Sequence, residues 1–254
     1  MKKTLEDAIV VLNQAILSDV WQMEILSPRI AAGTEPGQFV MVKKTAGAHF
    51  LRRPFGVADI NEEKGTLTIF YRILGKGTRE LAAMSPGEIL SVEGPLGTGF
   101  TLTEEPALLV GGGMGLAPLL LLARRLPEKP AVIIGGRSES ETFWTRFFAP
   151  YCKAVYIATD DGSSGFHGYP LHLMPLVLCE NEVRAVKTCG PDPLMEGIAR
   201  LSRSAGLSCE VSLERRMACG FGVCLGCTFE GKKTGRRRKV CTDGPVFDAE
   251  EVFE

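Results

Sequence analysis

Met217-Ala218-Cys219-Gly220-Phe221-Gly222-Val223-Cys224-Leu225-Gly226-Cys227, followed after thirteen residues by Cys241, is the stretch on which the rest of the chain is read. Its spacing, C-x4-C-x2-C-x13-C, is the ligand order of a plant-type 2Fe–2S centre, in which Cys219, Cys224, Cys227 and Cys241 would hold two irons as thiolates. Three sulfurs must converge from a short loop, and Gly220, Gly222 and Gly226 stand where positive φ and close approach of amides to sulfur are needed. The competing reading is a zinc knot, which usually shows two C-x2-C pairs around one tetrahedral ion; only one such pair exists here. The chain has eight cysteines, and a structural disulfide framework is disfavoured in a reducing compartment. The remainder reads as apparatus for moving electrons to or from this centre.

At 254 residues with 45% hydrophobic side chains, the chain is long enough for two ordinary domains with real cores. A net charge of −1 gives no global attraction to nucleic acid or to an anionic membrane, so neither is expected as a partner. Met1-Lys2-Lys3-Thr4 meets Glu6 and Asp7 before any apolar run, which reads against a signal peptide. The most apolar segment, 107–123, is broken by Gly111, Gly112, Gly113, Gly115 and Pro118, and so reads as strand, turn and helix rather than as a membrane span. The expectation is a cytoplasmic protein.

Upstream, residues 1–101 read as an antiparallel β-barrel, with short apolar runs at 7–17, 20–26, 39–42, 66–73 and 89–92 separated by turn signals such as Pro36-Gly37 and Pro86-Gly87. Two stretches interrupt that pattern, Arg52-Arg53-Pro54-Phe55-Gly56-Val57 and Tyr71-Arg72-Ile73-Leu74-Gly75-Lys76-Gly77-Thr78. Arginine forks bind phosphate, and a Gly-Lys-Gly-Thr turn exposes amides and a hydroxyl, so both are candidate anion or cofactor sites as well as ordinary strand ends.

From Ala107 the period changes, and residues 102–210 read as a parallel-sheet α/β domain. Strands are expected at 107–110, 131–134, 154–158, 184–188 and 208–213, with helices at 116–125, 141–149, 170–177 and 193–205. Such a sheet binds its ligand at the carboxyl ends of the strands. The turn Gly111-Gly112-Gly113-Met114-Gly115 does not fit G-x-G-x-x-G, and the acidic ribose reader usual after the second strand is replaced by Gly135-Gly136-Arg137. Thr159-Asp160-Asp161-Gly162-Ser163 and Cys189-Gly190-Pro191-Asp192 put small and polar residues at two further strand ends, where they also serve as ordinary turns and caps. Residues 211–254 form a small C-terminal segment with little regular structure. Its basic run 232–239 reads as a solvated hairpin turn, with docking to an acidic partner surface as the alternative.

In this order the motifs resemble the ferredoxin reductase superfamily, and over nearly its whole length the chain resembles the electron-transfer subunits of class 1B dihydroorotate dehydrogenases, most specifically across 214–227. The resemblance implies FAD in the barrel, NAD in the parallel-sheet domain and a 2Fe–2S centre in the tail. It maps the FAD site to Arg53, Pro54, Phe55, Gly56, Phe70, Tyr71, Arg72, Gly77 and Thr78. Relatives carry Ser where this chain has Gly56, so a hydroxyl bond to the flavin is missing at that position. It maps the NAD site to Gly111, Gly112, Gly113, Gly115, Cys189, Gly190 and Pro191. Arg137 leaves NADP open, and Cys189 reads equally as a buried strand-end thiol. The implied partner is an FMN-containing catalytic subunit that oxidises dihydroorotate, in an α2β2 heterotetramer. Two alternatives stand beside this: the small subunit of an NAD(P)H:ferredoxin oxidoreductase or sulfide dehydrogenase, relatives in which Asp replaces the first cluster cysteine, and a zinc-stabilised binding module. No acid–base or nucleophilic residue is assigned, since His49, His167 and His172 are scattered without partners at readable spacing.

Overall fold

The computed structural model describes residues 3–45, 47–48 and 50–253; the sequence readings at Met1, Lys2 and His49 fall outside them. Six strands, β1 (Thr4–Ala15), β2 (Val20–Leu26), β3 (Phe39–Lys44), β4 (Arg53–Asn61), β5 (Thr66–Arg72) and β6 (Ile89–Leu96), close into a barrel in the order β1-β2-β5-β4-β3-β6. Period-2 patterning drives closure. On β5 the side chains of Leu67, Ile69 and Tyr71 point into the barrel core, while Phe70 between them points out. Two short helices, α1 (Pro28–Ala31) and α2 (Lys76–Ala82), interrupt the strands. The sequence reading missed β4, because its Arg-Arg-Pro start masks the buried Val57, Ala58 and Ile60 that follow. It also took the start of α2 for a turn.

The second region alternates β7 (Ala107–Gly112), α3 (Leu116–Arg125), β8 (Ala131–Gly136), α4 (Thr145–Phe148), β9 (Ala154–Thr159), β10 (Phe166–His167), α5 (Pro170–Glu180), β11 (Ala185–Cys189), α6 (Asp192–Ser204) and β12 (Ser208–Ser212). The strands run parallel in the order β10-β9-β8-β7-β11-β12. The order reverses between β7 and β11, which is the switch point where ligands bind in open sheets. Leu109, Val132 and Ile134 pack under α3, whereas Leu108, Val110 and Ile133 pack under α5 and α6, so both faces are covered.

Helix α3 is buried over nearly its whole circumference because it lies between sheet and barrel. Leu121 enters the barrel core, and Ala58 and Phe70 of the barrel join the core under α3 with Trp144. Arg124 and Arg125 at its end pair with Asp59 and Glu62 of the barrel.

The tail has more regular structure than its composition announced. Strands β13 (Thr228–Glu230) and β14 (Arg237–Lys239) form a hairpin; the basic run supplies its turn as read, but its last three residues are β14 itself, with Arg238 over the Phe247 ring. Beyond it, β15 (Val246–Asp248) adds antiparallel to β12, and α7 (Ala249–Val252) follows. Three-residue strands carry too little periodicity to be seen in sequence. The tail also returns to the barrel, where the Thr98 amide donates to the Gly244 carbonyl at 2.6 Å. Its core joins Phe39, Met41 and Leu96 of the barrel to Met195 of α6 and Val211 of β12.

Candidate functional site

The four cysteines of the tail come together in two pairs. The Cys224 amide donates to Cys219 Sγ at 3.4 Å, and amides of Phe221 and Val223 also approach that sulfur. Burial alone would raise the Cys219 thiol; the ring of amides outweighs it and brings it down to about 6, favouring the thiolate that ligates metal. Cys241 pairs with Cys227, and both are buried. Burial first, then the neighbouring Cys227 thiol, pushes Cys241 up to about 12, against an opposing amide of Gly222. Among the described residues no three Cys, His, Asp or Glu side chains converge on a point that suits one metal ion. Four thiols in two neighbouring pairs, with backbone amides directed at Cys219 and Cys241, are the donor set of a 2Fe–2S centre, so the residues fit one.

Loop curvature makes this possible. Gly220 has φ +78°, and a Cβ there would lie 2.7 Å from Met41 Cγ of the barrel, so only glycine lets the loop press onto β3. Phe221, Val223 and Leu225 face outward, Val223 with 73% of its surface exposed.

On the barrel, Arg53–Gly56 and Gly77–Thr78 are brought together. The Arg53 guanidinium lies directly over Gly77 and donates to the Leu51 carbonyl. Thr78 Oγ1 accepts from the amides of Leu74 at 2.9 Å and Gly75 at 3.2 Å, fixing the turn into α2. Gly56 faces Pro118 of α3, where a Cβ would stand 3.4 Å from its ring, so this cradle opens at the seam between barrel and sheet. Two predicted residues are placed otherwise. Tyr71 turns into the barrel core, its hydroxyl donating to Asn13 Oδ1 at 2.9 Å and its phenol raised by burial. Phe70 packs on Trp144 at 4.7 Å. Period-2 alternation thus leaves only the backbone of these two residues for a ligand, with Arg72 pointing out beyond them.

A cleft of about 980 Å³ opens at the switch point. Gly112, Gly113, Gly115, Gly135, Gly136, Gly190 and Pro191 form its floor, and Arg72 reaches in from the barrel. At Gly115 a Cβ would lie 2.5 Å from the Cys189 carbonyl, so the turns after β7 and β11 approach as closely as backbones allow. Cys189 and Gly111 do not line the cleft. Cys189 is buried behind the wall, where burial and then the charge of Glu214 push its thiol well above the ordinary range. Its second reading, a buried strand-end thiol, is what the structure shows.

Of the cleft's charged wall, the sequence reading placed Arg72, Arg137 and Asp160 in candidate stretches but gave Glu141, which joins the two arginines, no role. Glu141 Oε1 accepts from Arg137 Nη2 at 2.6 Å, Arg137 Nε at 3.1 Å and Arg72 Nη2 at 2.8 Å, while Oε2 accepts from the Arg137 amide at 2.9 Å. Burial works against this carboxylate, but those donors hold it ionised at about 2. Arg72 is also paired with Asp19 at 2.7 Å, so one guanidinium ties barrel to sheet domain. Asp192, Glu214 and Arg215 stand opposite, with Arg215 on Asp192 at 3.1 Å. Glu214 lines the cleft with part of its surface exposed, and its carboxyl is raised by desolvation and then by the neighbouring Asp192. The one sequence signal available was Glu141 standing four residues after Arg137.

Barrel, switch-point cleft and paired thiols together define a ferredoxin-reductase-type flavoprotein with its own iron–sulfur segment. A model of the "Oxidoreductase FAD-binding domain" matches residues 9–100, and the "Iron-sulfur cluster binding domain of dihydroorotate dehydrogenase B" matches residues 214–253. The solved structure of an NADH-dependent reduced ferredoxin-NADP oxidoreductase superposes with a TM-score of 0.87 at 30% identity, covering 97% of this chain and 89% of that one. A dihydroorotate dehydrogenase B (NAD(+)) electron transfer subunit of Caldanaerobacter subterraneus subsp. tengcongensis is 40% identical over 249 residues, 97% of each chain. One of Fusobacterium nucleatum subsp. nucleatum is 36% identical over 258 residues, 98% of each. The chain belongs to the family of dihydroorotate dehydrogenase B electron transfer subunits, which carry FAD and an iron–sulfur centre.

Proposed function

We propose that this chain passes electrons from a dihydroorotate-oxidising, FMN-containing catalytic subunit to NAD⁺, in a cytoplasmic α2β2 heterotetramer. Among the described residues no helix is long and apolar enough to cross a membrane. The carrying observation is that one chain packs the thiol pairs, the barrel cradle and the switch-point cleft against each other through shared cores. FAD supplies the exchange between hydride-pair and single-electron transfer, and the iron–sulfur centre supplies single-electron transfer.

The chain's own residues hold and orient. Cys219 with Cys224 takes one iron, and Cys227 with Cys241 the other. Arg53, Pro54, Phe55, Gly56, Arg72, Gly77 and Thr78 form the flavin cradle. The turn Gly112–Gly115, opening α3, offers backbone amides at a helix N-terminus to a pyrophosphate, and Gly190 and Pro191 flank the nicotinamide. The hydride step needs placement of two rings rather than acid–base chemistry, and the proton that a flavin reduced by two single electrons would take up before giving hydride would come from solvent.

Co-expression with the catalytic chain tests this: dihydroorotate-dependent NAD⁺ reduction supports the reading, and its absence with both cofactors bound contradicts it. Similarity to the ferredoxin-NADP oxidoreductase keeps a second reading in view, a ferredoxin-linked subunit. Turnover that requires ferredoxin and ignores dihydroorotate would select it.

A further inference from the structure

In a sheet of this order the adenosine ribose meets the carboxyl end of the second strand, where an acid reads a 2′-hydroxyl or an arginine meets a 2′-phosphate. Here that strand is β8, and the side chain at its end is Arg137, 71% exposed on the cleft wall. By sequence alone the arginine leaves NADP open.

The structure shows that this arginine is already engaged. Its Nε and Nη2, the edge that would fork a phosphate, both lie on Glu141 Oε1. Glu141 is itself over-held, with Arg72 on the same oxygen and the Arg137 amide on the other. Freeing the Arg137 side chain would take two of the four hydrogen bonds from a buried carboxylate, which opposes the exchange.

The next strand end adds to the effect. The Asp160 amide donates to the Gly136 carbonyl at 3.0 Å and the Asp161 amide to the Arg137 carbonyl at 3.2 Å, so the turn after β9 is stitched alongside Arg137. Asp160 lines the cleft, and both Asp160 and Asp19 lie within electrostatic reach of Arg137. Arg72 and Arg137 therefore face three carboxylates, Asp19, Glu141 and Asp160. A 2′-phosphate brings close to two further negative charges into that setting.

We propose that Glu141 and Asp160 determine which dinucleotide this cleft accepts: Glu141 withholds Arg137 from a 2′-phosphate, and Asp160 repels that phosphate while accepting a hydrogen bond from a 2′-hydroxyl. The proposal rests on the reading of the cleft as a dinucleotide site and supplies the acid that the glycine motif lacks.

The test uses the FAD- and cluster-loaded protein. Calorimetry compares AMP with adenosine 2′,5′-bisphosphate, and rapid mixing follows flavin reduction by NADH and by NADPH, for wild type, D160N, E141Q, the double variant, and the double variant carrying R137A. Wild type is expected to prefer AMP and NADH. D160N alone, a change at an exposed side chain, raises the NADPH to NADH ratio of kcat/KM. The double variant raises it at least about tenfold, and adding R137A removes that gain, a reversal that loss of packing would not produce. An unchanged ratio in D160N and the double variant overturns the proposal, as does wild type binding both nucleotides equally. Wild type reduced by neither dinucleotide overturns the assignment of the cleft itself; equal reduction by both overturns only the roles of Glu141 and Asp160.

Discussion

The thiol loop and the switch-point cleft are built in opposite ways. All four sulfurs come from residues 219–241, and their meaning lies in covalent spacing and in amides a few residues away. The cleft draws its wall from the ends of β7, β8, β9 and β11, from the chain after β12 and from Arg72 of the barrel. A site made by local geometry tolerates change elsewhere and is intolerant at its own ligands. A site made by tertiary assembly depends on the seam that holds its pieces.

The comparison breaks first at the loop. Cys224→Ser removes one of four ligands, so iron is lost and partner-coupled electron transfer falls on the order of 100-fold or more, while flavin stays bound. Iron and flavin assays on the purified variant check it, and retained iron with an unchanged spectrum would break the local reading.

The seam comes next. Trp144 sits between Phe70 of the barrel and Phe143, at 4.7 and 4.8 Å, and is almost fully buried. Trp144→Ala should cost about 3–5 kcal/mol in denaturant unfolding, with dinucleotide binding weakened and the cluster intact. Within the cleft, Gly115→Ala drives a methyl against the Cys189 carbonyl and is expected to cost about 1–3 kcal/mol. Equal loss of cluster and nucleotide binding in these two variants would erase the distinction between the regions.

Acid sharpens it. The Glu141 carboxyl is held at about 2, below its ordinary 4.5, so its contribution to stability is present above pH 4.5 and is lost as pH falls through about 2. Unfolding followed from pH 5 to pH 2 should show that acid limb in wild type and a flatter one in E141Q. The smallest effect belongs to the tail. Asp248 Oδ1 accepts from the Glu250 amide at 3.0 Å to cap α7, and Asp248→Ala should cost about 1 kcal/mol without touching either site.

These same two regions explain what sequence reading reached. The iron–sulfur segment was legible because four cysteines at fixed spacing admit few alternatives. Most strands were legible from periodicity, and the glycine turn from its contrast with the apolar runs around it. β4 was hidden by Arg52, Arg53 and Pro54 at its start, since the buried positions come only afterward. The resemblance put Tyr71 in the flavin site, whereas period-2 alternation turns its side chain toward Asn13. Glu141 and Asp160 carry no motif. Their meaning comes from Arg72, 69 residues away from Glu141 in the chain, and from the stitching of two strand-end turns, which no local window contains.

The central claim, two thiol pairs gripping two irons beside a flavin barrel, is tested most directly by low-temperature electron paramagnetic resonance on the reduced protein with parallel iron, sulfide and flavin analysis. The account predicts a reduced 2Fe–2S signal with about two irons and about two labile sulfides per flavin. A colourless protein holding one zinc per chain, or a signal that survives Cys241→Ser unchanged, would contradict it.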